Sequence, residues 1–212
     1  MTMIDTVDYA QIKDYFGQKL AEFGPTVRGI DWNSDAAQTI RYEQVCKVIQ
    51  GKEPFSINDY GCGYGALVDF LRKQGLTFTY AGFDLLQPMV TAAQGKYGAD
   101  PALTFTADET LLPVADYTVL SGIFNVKQNV SETAWRDYMI DILHRVDQMS
   151  KQGFAFNALT SYSDPERMRP DLYYADPCFF FDYCKRHFAK NVALLHDYIL
   201  YDFTIIVRKQ VR

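Results

Sequence analysis

The residues with the clearest chemical reading lie in one stretch, Ile57-Asn58-Asp59-Tyr60-Gly61-Cys62-Gly63-Tyr64-Gly65-Ala66-Leu67. An apolar run reaches an acid, passes through glycines at alternate positions, and resumes as an apolar helical pattern. Glycine lets a turn take positive φ and lets the backbone approach a ligand with no Cβ in the way. The helix after such a turn aims its free amides and positive dipole end at that ligand. The stretch is a candidate cradle for a nucleoside-bearing cofactor, with Asp59, Gly61, Cys62, Gly63 and Gly65 as its contacts. Taken alone it is ambiguous. Gly61-x-Gly63-x-x-Ala66 also matches the dinucleotide fingerprint, and Asp84 follows about 20 residues on, as that fingerprint expects.

Further candidates recur at the ends of apolar runs. Asp84 closes Ala81-Gly82-Phe83-Asp84, where a carboxylate can accept both hydroxyls of a ribose. The same acid could instead cap the next helix. Leu85 and Met89 follow closely enough to pack on an adenine. Asp108 and Glu109 end a third run, as further candidate cofactor contacts or as solvated turn acids. Ser121-Gly122-Ile123-Phe124-Asn125 ends a fourth; Ser121 and Gly122 are small enough to leave room for a cofactor. Asn125 reads as a substrate contact or as a turn residue. Of three histidines, His144 and His187 read as structural, and His196, beside Asp197, is the candidate general base. Trp32 and the stretch 160–176, with Tyr162, Tyr173 and Tyr174, are candidates for an acceptor lid. Loops beyond about 12–15 residues are often functional. Arg167 and Arg169 in that stretch would suit an anionic acceptor.

The elements that must position these residues follow from periodicity. Ile12, Phe16, Leu20 and Phe23 predict a helix that Gly24-Pro25 stops, and Ser34 caps a second helix. Strands are expected at 55–60, 77–83, 103–107, 117–121, 153–159, 191–195 and 203–208. Helices are expected at 66–73, from Pro88 to about Lys96, after Ser131, and from Pro177 to about His187. Alternating strands and helices imply a mostly parallel sheet covered on both faces. The last two strands stand too close for a helical crossover, so they should pair antiparallel.

This series resembles class I S-adenosylmethionine (SAM)-dependent methyltransferases. Asp59-x-Gly61-x-Gly63-x-Gly65, Gly82-Phe83-Asp84, Ala107-Asp108 and Ser121-Gly122-Ile123-Phe124-Asn125 stand in that family's order and spacing, over roughly residues 35–212. Arg28-Gly29-Ile30-Asp31-Trp32-Asn33-Ser34, 153–163, 171–177 and 192–198 are similar to a subgroup of small bacterial methyltransferases of unassigned substrate. The resemblance implies a three-layer α/β Rossmann-like fold, with a mostly parallel seven-stranded sheet, a C-terminal antiparallel hairpin and N-terminal helices. It implies SAM as donor and S-adenosylhomocysteine as product, with Asp59 toward the donor's methionine end. Tyr64 stands where many relatives carry a small residue, and is expected at the cofactor mouth. The expected activity is methyl transfer to a small-molecule acceptor. An NAD-dependent oxidoreductase, a SAM-binding protein without catalysis and an RNA methyltransferase are the alternatives.

Composition narrows the field. A chain of 212 residues, 48% apolar, suits one domain, read as a helical cap over 1–50 on a core over 51–212. Aromatics reach 15%, which fits a ring-lined pocket or an aromatic core. Net charge is −5 with no basic run, which disfavours nucleic acid as a partner. The four cysteines show no CxxC spacing, so no metal site is expected and a reducing cytoplasm fits. The N-terminus lacks a signal-peptide pattern and no run matches a membrane span.

Overall fold

A computed structural model of the chain describes Val7 and residues 9–32, 34–51 and 53–209. Asn33 and most of the N-terminal stretch read above lie outside the described residues. Seven strands form one sheet: β1 (Phe55–Tyr60), β2 (Phe78–Phe83), β3 (Leu103–Thr106), β4 (Ala115–Leu120), β5 (Ser150–Leu159), β6 (Asn191–Leu195) and β7 (Asp202–Arg208). Their order is β3-β2-β1-β4-β5-β7-β6. β1 through β5 pair parallel, and β7 runs antiparallel between β5 and β6. The helices are α1 (Tyr9–Phe23), α2 (Asp35–Val45), α3 (Ala66–Lys73), α4 (Gln87–Tyr97), α5 (Glu132–Met149) and α6 (Pro177–His187).

The boundaries follow local chemistry. Ser34 accepts from the Ala37 amide and Ser131 from the Ala134 amide, each satisfying a donor at a helix start. Asp176 accepts from the amides of Cys178 and Phe179, with Pro177 in the first turn. Two apolar clusters fill the two sides of the sheet. One joins α2, α3 and α4 to Ile57, Tyr80, Tyr117 and Val119. The other joins α5 and α6 to Leu120, Phe154, Phe156 and Phe203. At its centre Trp135 is fully buried and donates its indole N–H to the Phe124 carbonyl at 2.8 Å. Tyr42, Val45 and Val48 are buried, so α2 belongs to a packed layer of the core. By contrast α1 has no buried residue.

Two sequence expectations need correction. Strict alternation of strands and helices would place a helix after β3, and there is none. The chain passes from β3 to β4 in eight residues, through a single 3-10 turn at Glu109–Leu111. Fully buried Asn58 fastens this crossover by donating to the Pro113 carbonyl at 2.8 Å. The stretch 160–176 is also not an open lid. Bridges pair Val126 with Leu172 and Thr160 with Ala175, and the Tyr173 amide donates to the Asn125 carbonyl at 2.8 Å.

Candidate active site

A cavity of about 420 Å³ opens over the carboxyl ends of β1, β2 and β4, within the range of small-molecule sites. The sheet order reverses between β1 and β4, so the two crossovers leave a crevice there. Its floor is the turn after β1. The Gly61 and Cys62 amides both donate to the Phe83 carbonyl, at 2.7 and 2.9 Å. Gly61 has φ +86°, and a Cβ there would lie 2.1 Å from Ile123 Cγ2, so only glycine fits.

Four acids line the sheet side. Asp59 is 3% exposed and its Oδ2 accepts from the Tyr80 hydroxyl at 2.7 Å. Burial pushes its carboxyl up to about 7; the Tyr80 hydrogen bond opposes this and the Asp84 charge adds to it. Asp84 accepts from the Gly63 amide at 2.8 Å and the Leu86 amide at 2.9 Å, so it ties the glycine turn to the chain leaving β2. Burial raises its carboxyl, and those two amides pull it back. Asp108 is exposed at the rim and accepts from the Thr110 amide and hydroxyl, which lower its pKa. Glu109 accepts from Arg145 at 2.7 Å. Leu85, Leu86, Met89 and Ala107 supply apolar surface between these acids. Buried Cys62 keeps its proton, since burial and the charges of Asp84 and Asp59 raise its thiol well above the usual range.

At the end of β4 the Ser121 hydroxyl is buried with no hydrogen-bond partner among the described residues. The Gly122 amide donates to Asn157 Oδ1 at 2.8 Å. Trp32 lies over Gly122 so closely that a Cβ there would come 2.8 Å from the indole. The Arg41 guanidinium sits 4.9 Å from the Trp32 ring centre and pairs with buried Asp202 at 2.6 Å. The roof is α1, whose Tyr9, Ile12, Lys13 and Phe16 line the cavity. Tyr9 meets Tyr138 edge-on at 5.8 Å. Asp31, at φ +58°, holds α1 by accepting from Tyr15 at 2.5 Å and pairing with Lys19 at 2.8 Å.

Of the residues singled out by sequence, the cavity brings together Trp32, Asp59, Gly61, Cys62, Gly63, Asp84, Leu85, Met89, Asp108, Glu109, Ser121 and Gly122. Others lie elsewhere. Gly65 precedes α3 at its N-cap, and Tyr64 donates to Gln38 at 3.4 Å, outside the lining. Asn125 Oδ1 accepts from the Leu159 amide. Tyr173 is buried in the core, and the Tyr174 hydroxyl accepts from the Arg169 amide. Tyr162 is 69% exposed and its ring stands 5.9 Å from that of His196. His196 is exposed and does not line the cavity. Arg167 and Arg169 pair with Asp164 and Asp171. The roof residues of α1, with Ile30, Tyr42, Tyr60, Ile123 and Tyr138, were missed. The 12–16–20–23 stripe marked α1 as amphipathic without showing what it faces.

No family model matches the chain. A Mycobacterium tuberculosis (strain ATCC 25618 / H37Rv) protein named "Putative methyltransferase Rv1506c" is 48% identical over 163 residues, 77% of this chain and 98% of that protein. Among solved structures, magnesium protoporphyrin IX methyltransferase from Synechocystis PCC 6803 with bound SAM matches with TM-score 0.66 at 13% identity, over 97% of this chain and 99% of that one. Burkholderia thailandensis 1,6-didemethyltoxoflavin-N1-methyltransferase, bound to its named substrate and S-adenosylhomocysteine, matches with TM-score 0.65 at 17% identity. That match covers 96% of this chain and 89% of the other.

Proposed function

Because the chain belongs to the SAM-dependent methyltransferases, we propose that this cavity binds SAM on its sheet side and a small-molecule acceptor beneath α1. The observation that carries the reading is the buried Asp59 carboxylate beside a bare glycine turn, with the unpartnered Ser121 hydroxyl also lining the cavity. These are groups awaiting a polar, partly cationic ligand. When bound, SAM supplies an already activated methyl group on a sulfonium.

The chain's own residues then bind, orient and exclude water. Asp59 receives the cationic amino end of the donor, which returns its carboxyl to the ionised form. Asp84 takes the ribose hydroxyls while still held by the Gly63 and Leu86 amides. Leu85, Met89 and Ala107 would supply apolar surface for the base, and Asp108 or Glu109 would accept from its amino group. Ser121 and Gly122 keep the end of β4 low, and Trp32 closes it against solvent. Alignment of the acceptor within this closed space is the main catalytic contribution, worth roughly 7–11 kcal/mol at the extreme. α1 and Trp32 act as the cap of a single domain.

The nicotinamide alternative loses its footing in the antiparallel β7 between β5 and β6, which gives the sheet of the methyltransferases. Calorimetric titration with S-adenosylhomocysteine tests the reading. Binding by the wild type and its loss in Asp84→Ala are expected. No binding by the wild type, or full binding by Asp84→Ala, sinks it.

A further inference from the structure

The floor and the roof of the cavity carry opposite chemistry. Every acid that lines it belongs to the sheet side and has a partner of its own: Asp59 with Tyr80, Asp84 with two amides, Asp108 with Thr110, Glu109 with Arg145. Facing them from α1 is Lys13, the one cationic side chain among the described lining residues. Among the described residues it forms no ion pair, whereas Lys19, two turns along the same helix, is committed to Asp31. Lys13 is flanked on its helix by Tyr9, Ile12 and Phe16, and the roof is completed by Trp32 and Tyr138. An acceptor resting there meets ring faces and aliphatic surface, with one ammonium group among them.

The acceptor side is also poor in proton acceptors. No described histidine lines the cavity; His196, the sequence candidate for a base, is exposed and outside it. The Tyr60 and Tyr138 hydroxyls are pushed above their ordinary range by burial and hold their protons at neutral pH. Asp59 lies on the floor under the Tyr80 hydroxyl. A phenol or alcohol would arrive protonated, and among the described lining residues the only carboxylates belong to the sheet side, each already engaged, whereas a carboxylic acid arrives already ionised.

We propose that the acceptor is a ring-bearing, largely apolar carboxylic acid, drawn beneath α1 by Lys13 and methylated on its carboxylate oxygen. This rests on the methyl-donor reading above. One carboxylate oxygen accepts from the Lys13 ammonium and the other attacks the methyl carbon. The new bond is oxygen to methyl, and the bond broken is sulfur to methyl. Its electron pair goes to sulfur and neutralises the sulfonium. No proton moves, and the products are a methyl ester and S-adenosylhomocysteine. The cation foreseen from Arg167 and Arg169 is thus supplied by α1 instead, since those arginines are paired in their own loop.

The test uses the full chain loaded with S-adenosylhomocysteine and three probes of one shape: 2-naphthoate, 2-naphthamide and 2-naphthol. Equilibrium dialysis should show 2-naphthoate binding roughly tenfold or more tightly than the amide, as for a hydrogen bond to a charged group. Lys13→Met should abolish that preference and Lys13→Arg should keep it. With SAM in place of the product, mass spectrometry should find methyl 2-naphthoate and no naphthyl methyl ether. Equal binding of the amide or the naphthol overturns the proposal. So does a preference that survives Lys13→Met, ether formation, or failure of all three probes to bind. Affinity for S-adenosylhomocysteine is measured first. Its absence in the wild type would sink the donor reading, while its presence without a carboxylate preference would sink the acceptor assignment alone.

Discussion

A single carboxyl group sets how this site responds to pH. Asp59 is held near 7 by burial, so in the free protein its charge is lost as pH falls through neutrality. A ligand whose ammonium group needs that charge should bind S-adenosylhomocysteine's site more weakly at pH 6 than at pH 8. Calorimetry across that range should show the slope, and Asp59→Asn should flatten it while weakening binding roughly tenfold or more. The effect on folding runs the other way. Asp59, Asp84 and Asp202 all have raised pKa values, so the folded protein keeps protons that the unfolded chain has released. Unfolding free energy should therefore fall as pH rises from about 4 to about 7, measured by urea titration without ligand. Gly122→Ala tests the close approach above it. With φ at +80° and the indole 2.8 Å from the new Cβ, it should destabilise the fold by about 1 kcal/mol or more. Asp59 was legible in sequence because the glycines beside it mark a turn. Its raised pKa was not, because that comes from burial by segments distant in sequence, which the hydrogen bond from Tyr80, 21 positions away, only partly opposes.

The strand ends and the helix caps were legible for a similar reason: each is written in a few adjacent residues. What an element faces is not. The stripe on α1 has the spacing of a core helix, yet the helix buries no residue and its inner face looks into the cavity. The aromatic stretch 160–176 had the composition of a lid, yet backbone bridges and the Tyr173 amide's bond to the Asn125 carbonyl fold it down onto the protein. Such pairings join segments far apart in sequence, and no local pattern announces them. Asp31 ties α1 to the following turn by taking both Tyr15 and Lys19. Asp31→Ala should speed amide hydrogen exchange across α1 while leaving β1 and β4 protected.

At the scale of the molecule, α2 is tied to the antiparallel end of the sheet. Arg41 of α2 and Asp202 at the start of β7 are 161 positions apart and meet at 2.6 Å, with Asp202 fully buried. Removing one partner leaves the other charge stranded, so Arg41→Met should lower stability by about 3–5 kcal/mol in urea titration. Because the same guanidinium lies against Trp32, the loss should also loosen the wall over Gly122. Among the described residues no helix is long and apolar enough to cross a membrane.

The two tryptophans of the chain stand in different worlds. Trp135 is sealed in the core and its N–H is satisfied by Phe124, whereas Trp32 borders the cavity. Their emission therefore divides into two channels: one that changes only when the fold is lost, and one that answers to whatever enters beneath α1. Replacing Trp32 by Phe would leave a fluorimeter reading for unfolding alone, and replacing Trp135 by Phe would leave one for occupancy.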